Sequence, residues 1–345
     1  MKKVIECVPN FSEGKDKDKI DKIISEIQTV RGVFVLNKDM GLAANRTVIT
    51  FAGEPQNVVE AAFRAIKKAA ALIDMREQKG VHPRIGATDV CPLVPVLGIT
   101  MEETIVFARQ LAERVGQELN IPVYCYEFAA LKEERINLAY IRKGQYEGLP
   151  EKLQTKDGYP DFGPAHFNSK AGAVAIGARD FLIAYNIDLQ TTSAAIARKI
   201  ATKIREKGQV KSDENGNVVL NKKGIPEFAF NGLKAVKAIG WYIEEYGNAQ
   251  VSVNITNFRL TPLHIVFERV KAEAGKLNVN VKGSEIIGLV PVAVLEAAGK
   301  YYTRDNSMPR ELLIETAILK LGLNVRSPFS LKEKVLEYIL ATTKI

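Results

Sequence analysis

The sequence predicts an α+β protein, an α/β sandwich of two ferredoxin-like βαββαβ-type subdomains with facing mixed β-sheets, plus C-terminal helices. Three observations carry this. Strand and helix patterns follow one another as β-α-β-β-α-β between Val4 and Leu97, the split βαβ order. The same order returns between Leu182 and Pro291. The two passes also end alike, on Asp89-Val-Cys-Pro-Leu-Val-Pro-Val and on Ile286-Ile-Gly-Leu-Val-Pro-Val. With 345 residues the chain is long for one core, and a prior of roughly 100 to 200 residues per domain points to two. We divide it at 1–178 and 179–300, with a helical appendage at 301–345.

Each element has its own signal. Val4 to Val8 reads as a strand, and Asn10-Phe-Ser-Glu-Gly14 as a polar turn. Ile20, Ile23, Ile24 and Ile27 then recur at helical spacing. Val33 to Leu36 is a second strand that stops at Asn37-Lys-Asp39, and Arg46 to Phe51 is a β-branched third. Gly53-Glu-Pro55 opens a helix with a stripe of Val59, Ala62, Phe63, Ile66, Ala70 and Ile73. Val90 to Leu97 reads as a buried strand. Thr100 and Glu103 have capping-box spacing before a third helix. Val123 to Phe128 is a strand, Glu133 to Gly148 mostly helical, and Asp157 to Gly172 a loop rich in Gly, Pro and aromatic residues, within a 157–180 segment between the two domains.

In the second pass, Leu182 to Ile187 is a strand and Ser193 to Lys207 a helix stopped by Gly208. Asp213-Glu-Asn-Gly216 is an exposed turn, and two strands meet as a hairpin across Tyr246-Gly-Asn248. Thr261 and Pro262 sit as N-cap and first residue of a helix. Two further helical patterns, Arg310 to Leu321 and Leu331 to Leu340, follow.

Composition narrows the function classes. An apolar fraction of 46% and a charged fraction of 26% are those of a soluble globular protein. No apolar run approaches the ~20 residues of a membrane span, and Met1-Lys-Lys-Val-Ile-Glu-Cys is too briefly apolar for a signal peptide, so a cytoplasmic protein with no membrane partner is expected. Cys7, Cys91 and Cys125 are widely spaced in apolar runs and read as reduced core residues. His82, His166 and His264 stand far apart with no metal-ligand spacing, so no metal is expected. A formal charge of +8 favours anions without choosing among them.

One stretch concentrates chemistry: Lys79-Gly-Val-His82-Pro-Arg84-Ile-Gly86-Ala-Thr-Asp89. Pro83 biases His82 toward extended backbone, which sets the imidazole on a connection between a helix and a strand. An imidazole there can take a proton in one step and return it in the next.

The chain resembles the glutamate formimidoyltransferase family, in a version without a cyclodeaminase domain. The resemblance rests on Glu6-Cys-Val-Pro-Asn10-Phe-Ser-Glu-Gly14, Asn45-Arg46-Thr47, His82-Pro-Arg-Ile-Gly-Ala-Thr-Asp89, Pro160-Asp-Phe-Gly-Pro164, Gly177-Ala-Arg179-Asp, Gly240-Trp241-Tyr and Gly283-Ser-Glu285-Ile-Ile-Gly. It implies transfer of a formimino group from N-formimino-L-glutamate to N5 of tetrahydrofolate, a reaction of histidine breakdown and one-carbon metabolism. Tetrahydrofolate, possibly polyglutamylated, is then a co-substrate, and the assembly a homodimer. The family's catalytic histidine falls on His82, with Asp39 orienting it or binding the transferring nitrogen. Arg46, Asn45 and Arg84 are substrate-binding candidates, the arginines as carboxylate clamps, with Arg179 a further one. The folate-binding stretch maps onto Gly163, Pro164, Ala165, His166, Phe167, Asn168, Ser169, Lys170, Ala171 and Gly172, with Glu285 a pterin partner on the second subdomain.

Two other readings compete. ATP-dependent cyclisation of 5-formyltetrahydrofolate would keep fold and ligand, but no Walker-type run is present. Nucleic-acid binding would suit basic βαββαβ domains, but the aromatic pattern of RNA-binding sheets is missing.

Overall fold

The computed structural model describes residues 2–215, 217–221, 226–230, 232–305 and 307–343, so Gly216 of the expected turn lies outside it. The chain divides into two compact units, Met1–Asp180 with Leu340–Ile345, and Phe181–Ile339.

In the first unit the order is β1 (Val4–Cys7), β2 (Asn10–Phe11), α1 (Lys17–Gln28), β3 (Val33–Gly41), β4 (Arg46–Gly53), α2 (Pro55–Leu72), β5 (Thr88–Leu97), α3 (Met101–Leu119) and β6 (Val123–Glu127). Two one-turn helices, α4 (Leu138–Ile141) and α5 (Leu149–Lys152), and β7 (Val174–Ala178) complete it. Strands β3, β4, β1 with β2, and β5 lie side by side and antiparallel, the expected split βαβ frame. Strand β7 then joins β5 in parallel, and β6 joins β7, so this sheet is mixed. Residues of one parity point at the helices: Ile5, Cys7, Ile49, Phe51, Leu93 and Ile176 are all fully buried. Against them α1 sets Ile20, Ile23 and Ile27, each also fully buried and each contributing roughly 1.5 to 3 kcal/mol. Asp16 caps α1, and Thr100 and Glu103 close the expected capping box on α3. All three cysteines are buried and free.

In the second unit β8 (Ile183–Leu189), α6 (Ala194–Ile204), a small ribbon of β9 (Gln209–Val210) and β10 (Phe228–Phe230), β11 (Val236–Ile243), β12 (Asn248–Ile255), α7 (Leu263–Gly275) and β13 (Val281–Ile287) follow. The sheet order β11-β12-β8-β13 is again the split βαβ arrangement, with every pair antiparallel. Helices α8 (Val292–Thr303), α9 (Arg310–Leu321), α10 (Leu331–Lys334) and α11 (Leu336–Thr342) end the chain. Gly240 is required because α6 crosses it directly: a Cβ there would lie 2.1 Å from the Ala197 carbonyl carbon.

Several expectations need correction. Strand β3 continues through Asn37 and Asp39 to Gly41, because pairing with β4 satisfies its backbone where the sequence suggested a turn. Residues 174–178, expected within the segment between the two domains, form a strand of the first sheet in the parallel slot between β5 and β6. Of 133–148 only a 3₁₀ turn at Glu133–Ile136 and α4 are helical. The second sheet is antiparallel, not mixed. Pro262, not Thr261, is the N-cap of α7; the Thr261 hydroxyl donates to the Lys234 carbonyl instead. Residues beyond 300 are continuous with the second core, where Leu313, Ile314, Ala317 and Leu321 are buried.

Candidate active site

The site is assembled where three loops of the first unit cross. Asn45, at φ 46°, accepts the Gly14 N–H on Oδ1 at 2.9 Å, and its Nδ2 donates to the Lys79 carbonyl at 2.9 Å and to the Gln78 side chain. Gly80 allows the approach, for a Cβ would fall 2.3 Å from the Ala44 carbonyl oxygen. Asn45, expected to bind substrate, is therefore a staple between loops.

His82 follows on this fixed connection, half-buried, with Nδ1 2.8 Å from the Pro83 carbonyl oxygen. A carbonyl can only accept, so Nδ1 carries the hydrogen and Nε2 keeps its lone pair. Burial, then the charges of Arg46 and Arg142, push the imidazole well below its ordinary range, against a smaller opposite pull from Asp89 and the Pro83 carbonyl. The ring is neutral at neutral pH.

Asp89 lies at a bulge, where β5 slips against β2 between Asn10 and Phe11. Its side chain is wholly buried. Oδ1 accepts the Ile85 N–H at 3.0 Å and Arg142 Nε at 3.3 Å. Oδ2 accepts Arg46 Nη1 at 2.6 Å and Arg142 Nη2. Burial alone would raise this carboxyl, but Arg142 and Arg46 outweigh it and hold it well below the usual range. Arg46 also donates from Nε to Asn10 at 3.0 Å, and burial brings its own ionisation down to about 10. Ser12, Asn45, Arg46, Gln78, His82 and Arg84 line a small cavity at this point.

The other expected residues are distributed as follows. Arg84 is engaged on both arms by Glu147, at 2.9 and 2.6 Å, and by the Gln78 carbonyl at 3.0 Å, so the clamp expected of it is already closed on the protein's own carboxylate. Asp39 sits on β3 opposite Val48, half-buried. Arg179 donates to the Asp180 carbonyl at 2.8 Å. The 163–172 stretch runs alongside the His82 connection: Gly172, at φ 69°, bridges Gly86, and the Lys170 carbonyl accepts the Met75 N–H at 2.9 Å. Within it Phe167 is half-buried, 5.4 Å from the Tyr146 ring, whereas Gly163, Ala165, His166, Ser169 and Lys170 are exposed. His264 stacks on Tyr301 at 4.4 Å and is buried, as a packed residue.

Glu285 belongs to a network within the second unit. Its Oε1 accepts Asn186 Nδ2 at 3.1 Å and Gln250 Nε2 at 3.0 Å. The Trp241 indole N–H donates to Gln250 Oε1 at 3.1 Å, which fixes the amide's orientation so that its nitrogen serves Glu285 and also Asp188, at 2.7 Å. Burial raises the Glu285 carboxyl above its usual range. Among the described residues no group of three or more His, Cys, Asp or Glu could hold a metal.

Three residues escaped the sequence reading. Asp89 stood in the His82 motif without a role, and Arg142, the C-cap of α4, lies in a stretch read only as mostly helical, where nothing marked it for the site. Glu6, on β1, is buried with Oε2 unsatisfied; burial pushes it up to about 7, partly offset by Arg179.

Comparison with known proteins agrees with this layout. Residues 4–179 match the family model of the formiminotransferase domain, N-terminal subdomain, and residues 184–341 that of the formiminotransferase domain. The chain is 44% identical to formimidoyltransferase-cyclodeaminase of Rattus norvegicus over 99% of its own length and 60% of the relative's. It thus spans about 60% of the length of such relatives. It is 42% identical to glutamate formimidoyltransferase of Streptococcus pyogenes serotype M1, covering 88% of this chain and 94% of that one. For glutamate formimidoyltransferase of Thermoplasma acidophilum the identity is 41%, over 92% and 98%.

Proposed function

This chain belongs to the formiminotransferase family, and we propose that it moves the formimino group of N-formimino-L-glutamate to N5 of tetrahydrofolate, releasing L-glutamate. The observation that carries the reading is a neutral His82 whose Nε2 lone pair stands in the field of two arginines.

In the proposed reaction N5 attacks the amidine carbon, and a tetrahedral intermediate forms with three nitrogens on that carbon: the former imino nitrogen, the glutamate nitrogen and N5. His82 Nε2 takes the N5 proton and passes it to the glutamate nitrogen, whose bond to carbon then breaks. A base that is neutral at the start and an acid afterwards is all the proton transfer this requires. Arg46 holds a substrate carboxylate, and Asp39 meets the nitrogen of the transferring group. Arg84 would stay with Glu147 and hold the loop. The 163–172 stretch receives the folate, with Phe167 offering a ring face; Glu285, within the second unit, is kept as a candidate hydrogen-bond acceptor for the pterin on the family resemblance alone. The family reading extends to a homodimer with small-molecule substrates only. The two family models and the relatives named above carry formimino transfer in their names, which supports this reading over ATP-dependent cyclisation or nucleic-acid binding.

The test is direct. Protein, formiminoglutamate and tetrahydrofolate are mixed and 5-formiminotetrahydrofolate is followed by absorbance. His82→Ala is expected to lower turnover about 10²- to 10⁴-fold with folate affinity kept. Undiminished turnover in that variant would remove His82 from the reaction.

A further inference from the structure

The ion cluster beside His82 is one negative charge short. Asp89 is the carboxylate that both Arg46 and Arg142 bind, and among the described residues no other acid forms an ion pair with either. Two guanidinium groups on one carboxylate leave a surplus positive charge, and both side chains are largely buried, 9% and 15% exposed. Removing an uncompensated charge from water is costly unless a counter-ion arrives.

The hydrogen bonds already made show which donors a counter-ion could take. Asp89 takes Nε and Nη2 of Arg142. Asn10 and Asp89 take Nε and Nη1 of Arg46. Each guanidinium thus keeps one NH₂ group, Nη1 of Arg142 and Nη2 of Arg46, outside these bonds. Asp89 holds both forks in fixed planes and ties them to the His82 connection through the Ile85 N–H.

We propose that Arg142 is the second arm of a carboxylate clamp completed by Arg46, that it binds one carboxylate of the amino-acid donor, and that Asp89 is the strut positioning both arms. This rests on the formimino-transfer reading and refines it, giving to Arg142 the role that the sequence suggested for Arg84. The donor's carboxylate supplies the missing charge, so binding it and neutralising the cluster are one event.

The test uses Arg142→Gln with three donors: formiminoglutamate and its two mono-carboxamides. In wild type, one carboxamide is bound far more weakly than the diacid. In Arg142→Gln the KM for the diacid rises about 10- to 100-fold, the size of a charge-assisted hydrogen bond, and the preference for diacid over that carboxamide largely disappears. The KM for tetrahydrofolate stays put. An unchanged diacid KM, an equal loss for all three donors, or a fall in kcat alone would overturn the proposal. Should Arg142→Gln fail to fold, Arg142→Lys keeps the charge but loses the planar fork, and the same loss of discrimination is expected at smaller size. A wild-type protein that transfers nothing from any donor would instead overturn the parent reading.

Discussion

The two units share one frame and treat buried charge in opposite ways. In the first, Asp89 faces two arginines and the Ile85 N–H. In the second, Asp188 faces one arginine, Arg326, and is otherwise satisfied by amides, Asn248 at 3.1 Å and Gln250 at 2.7 Å. Arg326 rests on the Tyr246 ring, 3.5 Å from its centroid. The second cluster has one arginine and two acids, Asp188 and Glu285, bridged by the Gln250 amide, whereas the first has two arginines on one acid. The second network fixes its amides in place, whereas the charges of the first add to burial in depressing a neighbouring imidazole. The same strand order thus supports either arrangement of buried charge.

Substitutions that equalise the two clusters sharpen this contrast. Asp89→Asn leaves two buried guanidiniums without their acid and is expected to cost about 3 to 5 kcal/mol of stability. The matching change, Asp188→Asn, removes the partner of one arginine that retains an aromatic face and is expected to cost less, about 1.5 to 3 kcal/mol. Urea denaturation of both variants checks the order; equal losses would remove the distinction.

Glu6 offers a pH-dependent test. Its carboxyl is raised from 4.5 to about 7, so between those pH values the native state holds a proton that the unfolded chain has released. Stability therefore falls as pH rises through that window, and the full penalty, roughly 3 kcal/mol, is present above pH 7. Glu6→Gln should be more stable than wild type by about that amount at pH 8 and match it below pH 4.5. A stability difference that does not change with pH would contradict this. Smallest is the effect at Glu285, where two amide donors already serve Oε1: Glu285→Gln is expected to shift stability by about 1 kcal/mol or less and to appear mainly as weaker folate binding.

The frame was legible because its signals are local. Isoleucines of α1 at helical spacing, the Thr100 and Glu103 box and the Tyr246-Gly-Asn248 hairpin each declare themselves within a few residues. Strand β7 did not, since a five-residue apolar run is defined as a strand only by the slot between β5 and β6. Asp39 looked like a turn residue because Asn-Lys-Asp is turn-like in isolation, and pairing with β4 overrode that. His82 could be singled out from its Pro83 neighbour and from the family resemblance. Arg142 could not be, because its meaning lies in reaching Asp89 from fifty-three positions away. Arg84 stood among the clamp candidates beside His82, yet adjacency in sequence did not give a free guanidinium.

The central claim is that the fold holds His82 neutral, ready to accept a proton. With only three histidines in the chain, NMR titration of the imidazole resonances, assigned through His82→Ala, measures this directly. The account predicts a His82 midpoint well below 6.5 that moves upward in Arg142→Gln. A midpoint at or above 6.5, unmoved by loss of Arg142, would contradict it.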